Sequence, residues 1–237
     1  MSLNQILQRL ADGSANHQLR KIKRGVEKES LRTTNNGFIA ITPHPEALGS
    51  ALTHPSITTD FSEALLEFIT APYNNISDLL NELDDIHRFV HAQIGEELLW
   101  VNSMPCQIKA DTEIPIANFG RSNVGKMKHI YRLGLGHRYG RSMQTIAGIH
   151  YNFSVPDSIW QLIASFKKSG LPLKDIKTEG YFGLIRNFRR SAWLLNYLFG
   201  ATPSVCSSFV YGKTHKLKLL KNKKSYYSPY ATSLRMG

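Results

Sequence analysis

Glu27 and Glu29 stand two residues apart in Arg24-Gly25-Val26-Glu27-Lys28-Glu29-Ser30-Leu31-Arg32. On a strand, residues i and i+2 share a face, about 6.5–7 Å apart at Cα. Two carboxylates so placed repel unless a cation lies between them or water screens them. Asp60, Glu63 and Glu67 follow in Asp60-Phe61-Ser62-Glu63-Ala64-Leu65-Leu66-Glu67-Phe68. Glu67 lies inside an apolar run, where an unpaired charge is costly. Oxygen donors with one imidazole and no thiolate cluster suit Mg²⁺ or Mn²⁺ rather than Zn²⁺. The same glutamates could instead pair with some of the 29 Lys and Arg side chains, and spacing alone leaves both readings open.

The imidazole comes from Met143-Gln144-Thr145-Ile146-Ala147-Gly148-Ile149-His150-Tyr151-Asn152-Phe153-Ser154. Read as one strand, it sends Thr145, Ala147, Ile149, Tyr151 and Phe153 to a core face. Gln144, Gly148, His150, Asn152 and Ser154 point the other way. That second face holds an imidazole and two carboxamides, with a glycine leaving space between them. It either forms part of a site or simply faces water.

The elements that must position these groups are legible in outline. Residues 2–12 read as a helix stopped by Gly13, and 24–32 as a strand. Asn35-Asn36-Gly37 marks a turn into 38–41. Residues 64–70 form a short apolar run ended by Ala71-Pro72, more strand than helix. Ile76, Leu79, Leu80, Leu83, Ile86, Val90 and Ile94 recur at helical spacing, with Gly95 as the stop. A weaker helix covers 123–138, with Met127, Ile130, Tyr131 and Leu135 as its apolar side, and 158–168 and 179–199 also read as helical. Long helices and short strands without a βαβ period favour an α+β fold.

Composition narrows the function classes. At 237 residues, 42% hydrophobic and 20% charged, the chain can bury a real core and is not wholesale disordered. Cys106 and Cys206 form neither a disulfide framework nor a metal knuckle, and the N-terminus lacks the apolar run of a signal peptide, which fits a reducing cytoplasm. Residues 191–212 carry no charge but are too polar for a membrane span. The net charge of +11 is concentrated in Lys213, Lys216, Lys218, Lys221, Lys223 and Lys224. No aromatic residue interleaves with them, so a solvated loop is preferred over a nucleic-acid contact. Arg121-Ser122-Asn123-Val124-Gly125-Lys126 lacks the glycine spacing of a phosphate-binding loop.

Longer motifs carry a resemblance. His44-Pro45-Glu46-Ala47-Leu48-Gly49-Ser50-Ala51-Leu52-Thr53-His54, Ile57-Thr58-Thr59-Asp60-Phe61 and Glu63-Ala64-Leu65-Leu66-Glu67-Phe68-Ile69-Thr70 resemble the proteobacterial type of glutamate–cysteine ligase. So do Ser103-Met104-Pro105-Cys106, Tyr139-Gly140, Met143-Gln144-Thr145-Ile146, His150-Tyr151-Asn152-Phe153-Ser154 and Pro229-Tyr230-Ala231-Thr232-Ser233-Leu234-Arg235. The resemblance runs in order along essentially the whole chain and is weakest in the Lys-rich stretch 213–224.

The resemblance implies ATP-dependent joining of the γ-carboxylate of L-glutamate to L-cysteine through γ-glutamyl phosphate, the first step of glutathione biosynthesis. The implied fold is similar to glutamine synthetase: a curved, mainly antiparallel sheet forming part of a funnel, with helices outside. Position by position, Glu27, Glu29, Asp60, Glu67 and His150 resemble ligands of Mg²⁺ (or Mn²⁺). Tyr131, Arg132, Leu135 and Gln144 resemble the acceptor-cysteine pocket. Asn152 and Arg235 resemble contacts to the substrate carboxylate or the transferring phosphoryl group. Family chains are considerably longer, so residues 1–237 are expected to be an N-terminal portion of the catalytic domain, with the C-terminal half of the funnel as its partner. A non-catalytic remnant and a related carboxylate–amine ligase are the alternatives. The expected sheet contains 24–32, 64–70 and 143–154 and is backed by helices 76–94 and 179–199. An exposed edge or apolar surface is expected where the rest of the funnel would sit. The acidic residues are expected on one concave face with raised carboxylate pKa values.

Overall fold

Two short helices, α1 (Leu3–Ala11) and α2 (Gly13–Leu19), lead into the long strand β1 (Lys23–Thr33) around which the main sheet is built. The computed structural model describes residues 3–11, 13–105, 107–167, 169–200 and 202–232. β2 (Ile57–Thr59) and β3 (Leu65–Ile69) extend the sheet on one side of β1. α3 (Ile76–Gln93) and β4 (Leu98–Trp100) follow, then α4 (Asn123–Tyr139) and β5 (Ile149–Ser154). β4 and β5 share the second side of β1, β4 pairing with Leu31–Thr33 and β5 with Lys23–Lys28. Every pairing in this sheet is antiparallel. α5 (Asp157–Lys167) and α6 (Leu173–Phe199) come next. A small three-stranded sheet of β6 (Ser204–Cys206), β7 (Lys218–Leu219) and β8 (Ser225–Tyr227), with α7 (Ser207–Val210), ends the described chain. The architecture is α+β, as the pattern of helices and strands indicates.

Register sorts the sheet into two faces. Lys28 pairs with Phe68 and Phe68 with Ile57, while Ser30 pairs with Leu66, so these residues share one side. Leu66, Phe68 and Ile57 on that side pack with Leu48 and with Ile86, Val90 and Ile94 of the α3 region. α3 itself is well specified: the Asn75 side chain accepts the Ser77 N–H at 2.8 Å, and Gly95 takes φ +60° just beyond the helix. The opposite side carries Leu31 and Leu65, cross-strand partners that pack with Ala40, Ala64 and Ala147. On that same side, by the two-residue alternation, stand Glu27, Glu29 and Glu67.

A buried cation fixes the far end of β1. Arg32 has only 1% of its side chain exposed, and its Nη1 lies 2.5 Å from Glu97 Oε2. Nη1 also donates to Thr42 Oγ1 at 2.8 Å, and Nη2 donates to the carbonyls of Thr42, Pro43 and Glu63, each at 2.9 Å. Glu63 in turn accepts the N–H groups of His44 at 2.7 Å and Asn118 at 2.6 Å. The turn before β3, the His44–Gly49 segment and the chain entering β4 are thereby tied to one strand end.

Several expectations are corrected. Residues 143–154 are not one strand: Ser142–Thr145 is a turn of 3₁₀ helix, and β5 begins only at Ile149. Asp111 causes the break by accepting both the Arg141 and Ser142 N–H groups at 2.8 Å. Ile149, Tyr151 and Phe153 do share the α3 side of the sheet, but α3 packs on β1 and β3 and they remain 68%, 61% and 41% exposed. Met127, Ile130 and Tyr131 on α4 are likewise exposed rather than core. Gly13 opens α2 instead of ending a helix. α6 starts at Leu173 and packs on α5 rather than backing the sheet. β2, β4 and the small sheet are too short for periodicity to reveal, and the lysine run falls partly in β7 rather than wholly in a loop.

Replacing Arg32 with Met should lower unfolding stability by about 3–5 kcal/mol, because it strands Glu97 and three carbonyls in a buried setting. Urea unfolding checks this, and a loss below about 1 kcal/mol would show that the strand end holds without the cation.

Candidate functional site

The acidic face is made by cross-strand neighbours. Glu29 lies opposite Glu67, and Glu27 lies opposite His150. Atoms of Glu27, Glu67 and His150 all lie within 4.8 Å of one another. Glu29 Oε1 is 4.0 Å from His150 Nε2, beside this group of three. Asp60 follows the end of β2, two residues after Thr58, the partner of Glu67, and its charge acts on the Glu67 carboxyl.

Glu27, His150 and Glu29 are oriented by further contacts. His150 Nδ1 sits 3.1 Å from Glu27 Oε2, and Asn152 Nδ2 donates to Glu27 Oε1 at 2.7 Å. Both oxygens of Glu27 are therefore aimed by β5. Glu29 is only 9% exposed, and its Oε2 accepts the Gly148 N–H at 2.7 Å. A Cβ at Gly148 would lie 3.6 Å from both Glu29 Oε2 and His150 Nε2, so the glycine keeps the floor of the site open.

Electrostatics set the carboxylates apart. Burial, followed by the negative charges of Asp60, Glu29 and Glu27, pushes the Glu67 carboxyl up to about 7. Glu27 moves the other way: its hydrogen bond to His150, helped by Asn152, holds its pKa below the ordinary value despite some burial. His150 is raised in turn, chiefly by the Glu27 hydrogen bond. The expectation of raised carboxylate pKa values thus applies to Glu67 and is corrected for Glu27, because the imidazole neutralises it directly. A cluster that leaves one half-buried carboxylate protonated near neutrality fits a divalent cation, whose charge would reverse that shift.

The remaining candidates are placed around this face. Arg132 reaches from α4 to Asp60, donating from Nε to its backbone carbonyl, with Nη2 4.0 Å from Oδ1. Its guanidinium also lies 4.5 Å over the Phe119 ring. Tyr131 and Leu135 lie one turn apart on α4, Tyr131 exposed and Leu135 half-buried. Gln144 belongs to the 3₁₀ turn that packs against α4. Arg235 lies outside the described residues. Arg32, Glu63 and Asp111 were missed as organisers, since isolated charged residues give no periodic signal. A cavity of about 390 Å³ lined by Phe38, Ile39, Gln107, Lys109 and Glu113 lies elsewhere and includes none of the acidic-face residues.

Comparison with known proteins shows the family of the chain. The family model for glutamate-cysteine ligase matches residues 7–237. The chain belongs to the glutamate–cysteine ligase family. It is 56% identical over 235 residues to the glutamate–cysteine ligase of Alcanivorax borkumensis, covering 99% of this chain and 45% of that protein. The Saccharophagus degradans glutamate–cysteine ligase is 56% identical over 216 residues, covering 91% and 41%. A crystal structure of the Francisella tularensis glutamate–cysteine ligase in complex with AMP superposes with a TM-score of 0.82 at 43% identity, covering 91% of this chain and 42% of that one. A bifunctional glutathione synthetase from Pasteurella multocida gives 0.74 at 32% identity, covering 82% and 25%. The chain thus spans less than half the length of the ligases it matches. Among the described residues, no helix is long and apolar enough to cross a membrane.

Glu67 makes the stability of the metal-free chain depend on pH. Its pKa is about 7 in the folded chain against an ordinary 4.5, so the metal-free fold keeps a proton that the unfolded chain releases. That stabilisation is fully present below the unfolded pKa and is lost as pH rises through the folded one. His150, also raised, acts in the same direction, whereas the lowered Glu27 acts only at more acid pH. Urea stability without metal should fall by about 1–2 kcal/mol between roughly pH 5 and 8, after discounting for solvent screening. Glu67→Gln should flatten most of that slope, and Mg²⁺ or Mn²⁺ should restore stability at the alkaline end. A slope of opposite sign, or one unchanged in Glu67→Gln, would refute the assignment.

Proposed function

We propose that this chain supplies the cation-binding wall and the acceptor pocket of an ATP-dependent ligase that makes γ-glutamylcysteine in the cytoplasm. Supporting this reading above all is the convergence of Glu27, Glu67 and His150 within 4.8 Å in a chain of the glutamate–cysteine ligase family. In the proposed reaction, a γ-carboxylate oxygen of L-glutamate attacks the terminal phosphorus of ATP, and ADP leaves. The nitrogen of L-cysteine then attacks the acyl carbon of γ-glutamyl phosphate, inorganic phosphate leaves and the nitrogen loses a proton.

Glu27, Glu29, Asp60, Glu67 and His150 are the residues proposed to hold Mg²⁺ or Mn²⁺. When bound, such cations neutralise charge on the transferring phosphoryl group. The protein's own part is positioning. Asn152 and His150 orient both oxygens of Glu27, and the Gly148 N–H orients Glu29. Arg132 anchors α4 to the Asp60 segment, so Tyr131 and Leu135 can line a pocket for a small thiol side chain, with Gln144 beside it. Asn152 and Arg235 are proposed contacts to the substrate carboxylate or the phosphoryl group. The remaining metal and phosphate contacts are assigned to the C-terminal half that longer family members contain.

The test compares the 237-residue chain with a fusion in which it replaces the matching segment of the Alcanivorax borkumensis ligase. The chain alone should form no detectable γ-glutamylcysteine from ATP, glutamate, cysteine and Mg²⁺. The fusion should form it, and Glu27→Gln within the fusion should lower kcat by about 100-fold or more, since transferring groups tolerate little misplacement. A folded but inert fusion, or full activity in Glu27→Gln, would overturn the reading.

A further inference from the structure

From Gly180 to Gly237 the sequence contains no Asp or Glu, while Lys and Arg occur ten times. The last quarter of the sequence therefore holds most of the +11 charge. Six of these cations are the lysines between 213 and 224. Lys213 is tied down: its Nζ donates to Ser142 Oγ and lies 5.0 Å over the Phe209 ring. Lys216, Lys218, Lys221, Lys223 and Lys224 are exposed, and among the described residues no carboxylate lies within ion-pair distance of them. Cations gathered without counter-charge create a field that attracts anions.

The hairpin of β7 and β8 holds these lysines in place. The Leu220 N–H donates to the Ser225 carbonyl at 2.8 Å, and the Asn222 side chain accepts the Lys224 and Ser225 N–H groups at 2.9 and 3.2 Å. Along the chain no aromatic residue interleaves with the lysines, but strand pairing sets Tyr227 opposite Lys218 and Tyr226 opposite Leu219. Tyr226 packs against the cluster of Ile146, Val205 and Phe209, so by alternation Tyr227 and Lys218 share the other face. Tyr227 lies on the middle strand of the small sheet, flanked by Lys218 and Ser204. A depression of about 360 Å³ opens there, lined by Leu219, Leu220, Lys221, Asn222 and Tyr227.

We propose that the β7–β8 hairpin binds single-stranded nucleic acid, with Lys218, Lys221, Lys223 and Lys224 on the phosphates and Tyr227 against a base. The proposal goes beyond the ligase reading and does not depend on it. Charge alone fits any polyanion, and the aromatic ring with the hollow beside it selects among them. An acidic membrane meets the lysines but leaves the hollow unfilled, and a bare polyphosphate has no ring to stack. The bases of a duplex are already stacked on one another, whereas those of a single strand are available to Tyr227. Lys221 and Asn222 place a cation and an amide at the rim of the same hollow, within reach of a phosphate and a base edge.

The experiment titrates the 237-residue chain into a fluorescent oligothymidylate of about 12 nucleotides and reads its anisotropy. The logarithm of the binding constant should fall with that of salt concentration at a slope of about −3, roughly −0.7 for each phosphate met by the four lysines. Changing Lys218, Lys221, Lys223 and Lys224 together to Gln should lower affinity about tenfold or more and bring that slope close to zero. A charge-matched control, with the exposed Lys21, Lys23, Lys126 and Lys174 changed to Gln, should stay within about twofold of the parent, since salt screens distant charges. Tyr227→Leu should weaken binding about tenfold with the slope unchanged, because it removes stacking and no charge. Tyr227→Phe keeps the ring and should bind like the parent. Each variant should retain the far-UV spectrum of the parent. Equal losses in the lysine set and its control would reduce the effect to net charge and overturn the proposal. Duplex DNA or vesicles of acidic phospholipid bound as tightly as the oligothymidylate, or no binding at all, would do the same.

Discussion

The main sheet depends on one buried charge. Arg32, next to last in β1, is buried, and a guanidinium there is tolerable only when most of its donors are met: Nη1 and Nη2 have partners, and Nε has none among the described residues. Glu97 supplies the countercharge, and Thr42, Pro43 and Glu63 supply carbonyls from two other segments. The arrangement removes freedom as much as it adds attraction. Moving the turn before β3, or the chain entering β4, would expose a cation to an apolar interior. With β3 and β4 held beside β1 in this way, the register that sets Glu29 against Glu67 is fixed from one end of the strand.

The acidic face shows the opposite economy. Its carboxylates are brought together against their mutual repulsion, and the fold handles each differently. Glu27 is neutralised by His150 and Asn152, Glu29 receives a backbone N–H, and Asp60 is anchored near Arg132. Glu67 is left half-buried beside three like charges. The residual repulsion therefore falls on one side chain, the one for which a cation would make the largest difference.

How much of this was legible in the sequence follows from the kind of signal each feature gives. The paired glutamates of β1, the isolated Glu67 and the helix α3 all rest on short-range periodicity, which the strand and helix geometry obey. Position 143–154 misled because its alternation continues through a 3₁₀ turn, and the cause of that turn is Asp111, distant in sequence. The apolar residues of α4, α6 and β5 were read as facing a core because amphipathic spacing cannot say whether a covering layer is present. Arg32 and Glu63 were invisible as organisers, since a buried charge looks like any surface charge until its partners are placed. The family resemblance supplied residue roles that no periodicity could give.

The partners that build the acidic face are far apart along the chain, with consequences for the order in which it forms. Glu27 and His150 are separated by 123 residues, whereas Glu29 and Glu67 join through a much shorter loop. Closing the longer loop carries the greater loss of chain entropy, and β5 brings no buried side chain to offset it. The β1–β3 ribbon can thus be secured early by its own packing, while the imidazole and carboxamide arrive late on a strand held mainly by backbone hydrogen bonds. Loop length alone predicts that the carboxylates of β1 and β3 meet before the groups that temper them. Dissolved cations or protons in the surrounding solution are then their first available counter-charge.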